Sequence, residues 1–193
     1  MRKFHGKENL IASLNYWLTS HVPGGYVGVQ PLPIGKEFYW LFDYPIAPLT
    51  LPAVSVTEIG LFNFGEMAMD RLIGFDGNDP IYGTKNQTLI EIVCTDQDST
   101  SYSAATNTVR NLRDRVIDAL SEGHMPLVDY SHPGKPEIGY LWVDNSSNAI
   151  NEKFLVDPQN QNMKRYVLLV RIFWLEITQR TKEKTIKSNT TVV

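Results

Sequence analysis

One stretch of the sequence, residues 103–121, has the spacing of a helix that buries a single face. Its apolar residues recur at intervals of three or four, the period of a helix with one covered stripe: Ala105, Val109, Leu112, Val116 and Leu120. The segment before it, residues 87–95, alternates two side-chain sets, as a strand does. A strand and a helix that both need a covered face predict a helix layer packed on a sheet.

Other segments extend this pattern to an α+β fold. Residues 7–19 carry a second helical stripe, and β-forming composition predicts further strands at residues 37–44, 51–64, 138–144 and 165–178. We therefore predict a mostly antiparallel sheet with two main helices packed on one face. Prolines bracket the aromatic segment 37–44, which favours an edge position for it. We expect a single domain over residues 1–180 and a flexible polar tail over residues 181–193.

Residues 65–86 form a punctuated stretch that predicts a long protruding loop or hairpin arm. Glycines, Pro80 and an Asn-Asp-Pro turn signal interrupt it, yet it holds more apolar residues than a solvated loop needs: Met67, Met69, Leu72, Ile73 and Phe75. We expect these side chains to contact a partner, because exposed apolar groups gain nothing from ordering. The alternative is that the segment folds back on its own sheet as an extra hairpin.

Charge and cysteine content narrow the classes of function. The formal net charge is −3, and the sequence has no basic stripe. A protein that binds nucleic acid tightly normally has a basic patch or stripe. The one cysteine, Cys94, excludes an intramolecular disulfide and fits a reducing compartment. Polar residues interrupt the apolar N-terminal segment, and no run is long enough for a membrane span, so we expect neither a signal peptide nor a membrane partner.

Motifs for catalysis and cofactor binding are missing from the sequence. No phosphate-binding glycine loop, nucleophile elbow or His-x-x-x-His pair occurs, and residues 76–79 lack the spacing of a calcium loop. We therefore expect no catalytic residue, no cofactor and no metal. An alternative places an enzyme or ligand site at His124 and His132, which flank a predicted loop containing Asp129.

Arginines on the second predicted helix provide another candidate contact. Arg110 and Arg113 could bind a partner's carboxylates or a phosphate. Asp114 and Asp118 lie on the same helix, so a solvated mixed face is the alternative.

The order of the predicted elements resembles that of the tail terminator, or tail completion, proteins of tailed bacteriophages. An N-terminal helix precedes strands and a protruding arm, a strand (residues 88–95) then runs into a helix (residues 103–121), and a long strand (residues 165–178) ends the domain. The resemblance covers residues 1–180 and rests on element order and spacing. A Pro-rich aromatic insert at residues 22–50 and an extended region at residues 124–164 depart from the small members of that family.

This resemblance implies a structural protein of the virion, assembled in the host cytoplasm and located at the tail or neck. Such proteins form a ring, usually of six copies, that caps the tail tube, stops its polymerisation and offers a docking surface to the head. The implied partners are further copies of the chain, the tube protein, the sheath where the tail is contractile, and the connector proteins of the neck. DNA passes through the ring without specific binding. Another phage neck or adaptor protein is the alternative within this class.

Overall fold

A computed structural model describes residues 6–28, 31–42, 51–62, 71–76, 79–98, 102–143, 150–158 and 160–178. In chain order, its elements are α1 (Gly6–His21), β1 (Gly25–Tyr26), β2 (Phe38–Phe42), β3 (Ala53–Phe62), β4 (Arg71–Asp76), β5 (Asp79–Gln97), α2 (Tyr102–Ser121), β6 (Met125–Val128), β7 (Glu137–Val143), β8 (Ile150–Val156) and β9 (Met163–Thr178).

The two longest strands, β5 and β9, form the spine of one strongly curled sheet. They pair antiparallel from Tyr82 opposite Thr178 to Gln97 opposite Met163. Two strands line the other edge of β5, β4 near its start and β3 further along. Two more line the other edge of β9, β8 near its start and β7 near its end. All these pairs are antiparallel, and β1 and β2 add parallel strands outside β3, so the predicted mostly antiparallel sheet is confirmed.

Helix α2 covers one face of this spine. Its predicted apolar stripe is buried. From Val109 to Leu120 the stripe lies in one cluster with the side chains that alternate along β5: Ile90, Ile92 and Cys94. On β9, Val170 and Leu168 stand opposite Ile90 and Ile92 and are also fully buried. Removing this apolar surface from water is the main stabilising contribution to the fold.

Helix α1 joins the same layer by packing on α2 and β6. Leu10, Leu14 and Leu18 are buried in the shared core. Trp17 links the two helices directly, because its indole Nε1–H donates to the carbonyl oxygen of Ala119 at 2.8 Å. Both helices therefore lie on one face of the sheet, and the predicted α+β class is confirmed.

The predicted arm, residues 65–86, is partly built into the sheet as a hairpin. β4 pairs with the start of β5 across a two-residue connection, with Asp76 opposite Asp79. The fifth strand therefore begins eight residues before the predicted start at Gln87, and Tyr82 to Asn86 already pair with β9. The glycines and Pro80 suggested a break in structure. Pro80 instead stands next to the hairpin turn, and the register of β4 shifts between Leu72 and Gly74, as at a β-bulge.

The region 124–164 holds more strands than the single one predicted. β6 spans four residues and contains Pro126, so it is too short for a clear alternating pattern. β8 lies at an edge with exposed Asn151, Glu152 and Lys153, and its sequence therefore lacks the apolar face that reveals a strand. At the other end, β2 lies next to the outermost strand β1, close to the edge position predicted for it. The predicted tail at residues 181–193 lies outside the described residues.

Candidate subunit interface

The hairpin of β4 and β5 carries part of the predicted contact set. Leu72, Ile73 and Phe75 lie in β4, while Met67 and Met69 lie outside the described residues. In the described part of the chain, β4 pairs with β5 on one side only, so its second edge is an outer edge of the sheet. An outer strand presents backbone N–H and C=O groups that another strand can pair with.

The direction in which each β4 residue points its backbone groups follows from the hairpin. Phe75 stands opposite Pro80, which has no N–H to donate, so the two cannot exchange a pair of backbone hydrogen bonds. In an antiparallel ladder, a residue of a non-hydrogen-bonded pair points its N–H and C=O away from the strand that it is paired with. Phe75 therefore directs these groups to the outer edge, and its neighbour Gly74 directs them to β5.

The edge of β8 can be assigned in the same way. The N–H of Asp157 donates to the carbonyl oxygen of Met163 in β9 at 3.2 Å, directly after the last paired residue of β8. Residues at even spacing from Asp157 therefore point their backbone groups towards β9, among them Lys153. The alternate residues Glu152 and Phe154 point theirs to the outer edge, where no described strand pairs with them.

The two arginines of the predicted contact set differ in their surroundings. Arg110 is exposed on α2. Arg113 is three-quarters buried and bound within its own chain. Its Nη1 lies 2.8 Å from Oε2 of Glu152 and 3.3 Å from Oη of Tyr166, and its guanidinium lies over the Tyr166 ring at 4.6 Å. The hydrogen bond to Glu152 raises the pKa of Arg113, so its charge persists at every working pH. Arg113 thus fastens β8 to α2.

A third edge, that of β6, is closed by side chains of α1. The N–H of Val128 donates to Oγ of Ser13, and the N–H of Tyr130 donates to Oδ1 of Asn9, both at 3.0 Å. Between them, the N–H of Asp129 turns the other way and donates to Pro136. Asn9 and Ser13 are almost fully buried. This role was not predicted, although two small polar residues four apart beside the apolar stripe of a helix are a signal for it.

The alternative site at His124 and His132 is spread over a strand. Residues Met125–Val128 of the predicted loop form β6, so His124 directly precedes this strand and His132 lies in the turn that follows it. The His124 ring lies against Tyr140, with ring centroids 4.8 Å apart, and Nδ1 of His132 accepts the N–H of Gly134 at 3.2 Å.

Asp129 is engaged by other groups of its turn. The Ser131 hydroxyl, assisted by the Asn9 amide and His132, lowers the pKa of the Asp129 carboxyl. Among the described residues, no group of three or more His, Cys, Asp or Glu side chains could hold a metal ion.

Two further features bear on chemistry. Burial raises the pKa of the Cys94 thiol to about 12, against a weaker opposing effect of Arg113, so the thiolate that a nucleophile needs is disfavoured. A pocket of about 530 Å³ lies beside α2, lined among others by Glu37, Phe38 and Arg115. Its charged groups bind each other: Nη1 of Arg115 lies 2.8 Å from Oε2 of Glu37, and Nη2 donates to the carbonyl of Pro23.

Of the helices described, neither has the length and apolar character needed to cross a membrane. Comparison of the sequence with models of known protein families gives no match, and comparison with curated proteins gives none either.

Proposed function

We propose that this protein is a structural subunit that assembles into a ring, caps the tail tube of a bacteriophage, ends its polymerisation and offers a docking surface to the head. The observation that carries the proposal is the arrangement of sheet edges. Two open edges, those of β4 and β8, lie on opposite sides of the β5–β9 spine. Two different contact surfaces on one subunit are what a head-to-tail ring requires.

Charge supports the same function. A ring around a DNA channel must let DNA pass, and retention of DNA comes from Lys and Arg contacts to phosphates. The chain has a formal net charge of −3, which suits a lumen that does not hold DNA. The partners of such a ring are the tube protein, the connector proteins of the neck and, in a contractile tail, the sheath.

Particle size and tube length test the proposal. The purified chain, alone or with its tube protein, should form closed rings in electron micrographs, with a mass of several times the 21.9 kDa of one chain. When it is added to a polymerising tube protein, tubes should stop at shorter lengths and carry a ring at one end. A chain that stays monomeric under both conditions and leaves tube length unchanged would contradict the proposal.

The exposed arginine of α2 allows a matched comparison. Arg110 and Asn107 are both exposed on this helix, one turn apart. If Arg110 binds a carboxylate of a neighbouring subunit or of a neck protein, Arg110→Ala weakens ring formation or head docking, whereas Asn107→Ala leaves both unchanged. If ring formation and head docking are the same for Arg110→Ala and Asn107→Ala, Arg110 does not contribute to the interface.

A further inference from the structure

The three longer outer strands of the described sheet differ in how their edges are treated. Side chains of α1 bind the outward N–H groups at the β6 edge, which makes that edge unable to accept another strand. No described strand pairs with the outer edges of β4 and β8. The remaining outer strand, β1, has only two residues and is too short to hold a ladder. Among the described strands, β4 and β8 are therefore the two that can add a strand along their whole length, whereas β3 has an unpaired outer stretch only at residues 57–62, beyond its pairing with β2.

We propose that β4 of one subunit adds to β8 of the next, so that a continuous antiparallel sheet joins neighbouring copies. This inference rests on the proposed ring. Its first support is strand direction. Successive pairs β4–β5, β5–β9 and β9–β8 are all antiparallel, so β4 and β8 run in opposite directions. A second copy related by rotation continues this alternation across the junction, as in a closed barrel.

Strand length and position fit the same contact. β4 spans six residues and β8 seven, so β8 can pair with β4 over the whole length of β4. β4 lies beside the start of β5, and β8 beside the start of β9, at opposite ends of the spine. The junction therefore shifts the β5–β9 spine of each subunit, along the strand direction, relative to the spine of the next subunit. A ring accommodates such an offset when its strands are inclined to the ring axis.

Proline substitutions at alternate residues separate the junction from the fold, because proline removes one backbone donor. On β8, Glu152→Pro removes an outward N–H, and Lys153→Pro removes one that points to β9. Glu152→Ala controls for the lost contact with Arg113. On β4, Phe75→Pro removes an outward N–H, and Gly74→Pro one that points to β5. Glu152→Pro should keep the melting temperature of Glu152→Ala, and Phe75→Pro that of Phe75→Ala, and neither proline variant should form a ring. The inward variants should melt at lower temperatures than the unmodified chain.

Mixing the two outward variants tests which edges meet. Glu152→Pro keeps an intact β4 edge, and Phe75→Pro keeps an intact β8 edge. Each alone should be monomeric by light scattering, and the mixture should form dimers of twice the monomer mass and nothing larger. Dimers of Glu152→Pro alone would show that β4 pairs with itself and would overturn the proposal.

The mass of the assembled particle separates failure of the β4–β8 junction from failure of the proposed ring. If both outward variants form rings of unaltered mass, the ring stands and the junction of β4 with β8 is wrong. If the unmodified chain forms no ring alone or on its tube protein, the proposed function fails and the junction fails with it.

Discussion

Replacement of Ser13 by alanine tests whether α1 closes the β6 edge. Ser13 is 2% exposed, and its Oγ accepts the N–H of Val128 at 3.0 Å. The substitution leaves this N–H without an acceptor under a helix that excludes water. Ser20 is the matched control, because it lies in the same helix but is exposed, and its hydroxyl only donates to the carbonyl of Tyr16.

The size of the effect follows from two opposing contributions. Leaving a buried donor unpaired costs about 1–3 kcal/mol of folding free energy. Alanine is a better helix former than serine by roughly 0.5 kcal/mol, and this gain is common to both variants. Ser13→Ala should therefore be about 1–3 kcal/mol less stable than Ser20→Ala. For a domain of this size each kcal/mol corresponds to about 2–4 °C, so the two melting temperatures should differ by about 2–12 °C.

Thermal and urea unfolding of the two variants at one pH provide the assay. Ser20→Ala should melt at or slightly above the unmodified chain, and Ser13→Ala clearly below it. Melting temperatures of the two variants within about 1 °C of each other would mean that the hydrogen bond contributes less than about 0.5 kcal/mol. The edge of β6 would then not depend on Ser13, and it would rejoin β4 and β8 as a candidate for strand addition.

Three further results are expected. Leu112→Ala should cost about 2–5 kcal/mol as a core truncation, and Arg110→Ala less than about 0.5 kcal/mol; a loss below about 1 kcal/mol for Leu112 would contradict the packing of α2. Cys94 should resist thiol reagents until the chain unfolds, and stability should fall as pH rises from its ordinary pKa of 9.0 to about 12, because the unfolded thiol loses its proton first. Rapid labelling of the folded chain would refute this. His124→Ala with His132→Ala should leave assembly intact, and stoichiometric metal that this double variant loses would support the alternative site.

Periodicity predicted the parts of the fold that have one buried face and one exposed face. The stripe from Ala105 to Leu120 identified α2 to within one residue at its start, and the alternation at Ile90, Ile92 and Cys94 identified the side of β5 that α2 covers. These positions were predictable because a helix or strand that buries one face needs apolar residues at the period of that element, and this period can be read from the sequence.

The edges were less predictable, because an edge strand need not bury a face. β8 escaped detection since its exposed residues Asn151 to Lys153 read as a loop, although their backbone pairs with β9. The start of β5 was missed for another reason. Gly83 and Pro80 have a low propensity for strands, but pairing with β4 on one side and β9 on the other outweighs this local preference. The contact of Ser13 with Val128 spans 115 positions and depends on tertiary packing alone.

The ion pair of Arg113 with Glu152 adds a physical reason for β8 to serve as an acceptor edge. Few side chains of β8 are buried, so packing contributes little to the stability of this strand. A strand held by few contacts has to be ordered when a partner binds, and this ordering costs free energy. Arg113 is itself held between Glu152 and the Tyr166 ring, and it ties β8 to α2 before any partner arrives. With Glu152 44% exposed, the pair contributes little to stability, at most about 1 kcal/mol. Its larger effect is to fix the edge, which lowers the entropy cost of adding a strand there.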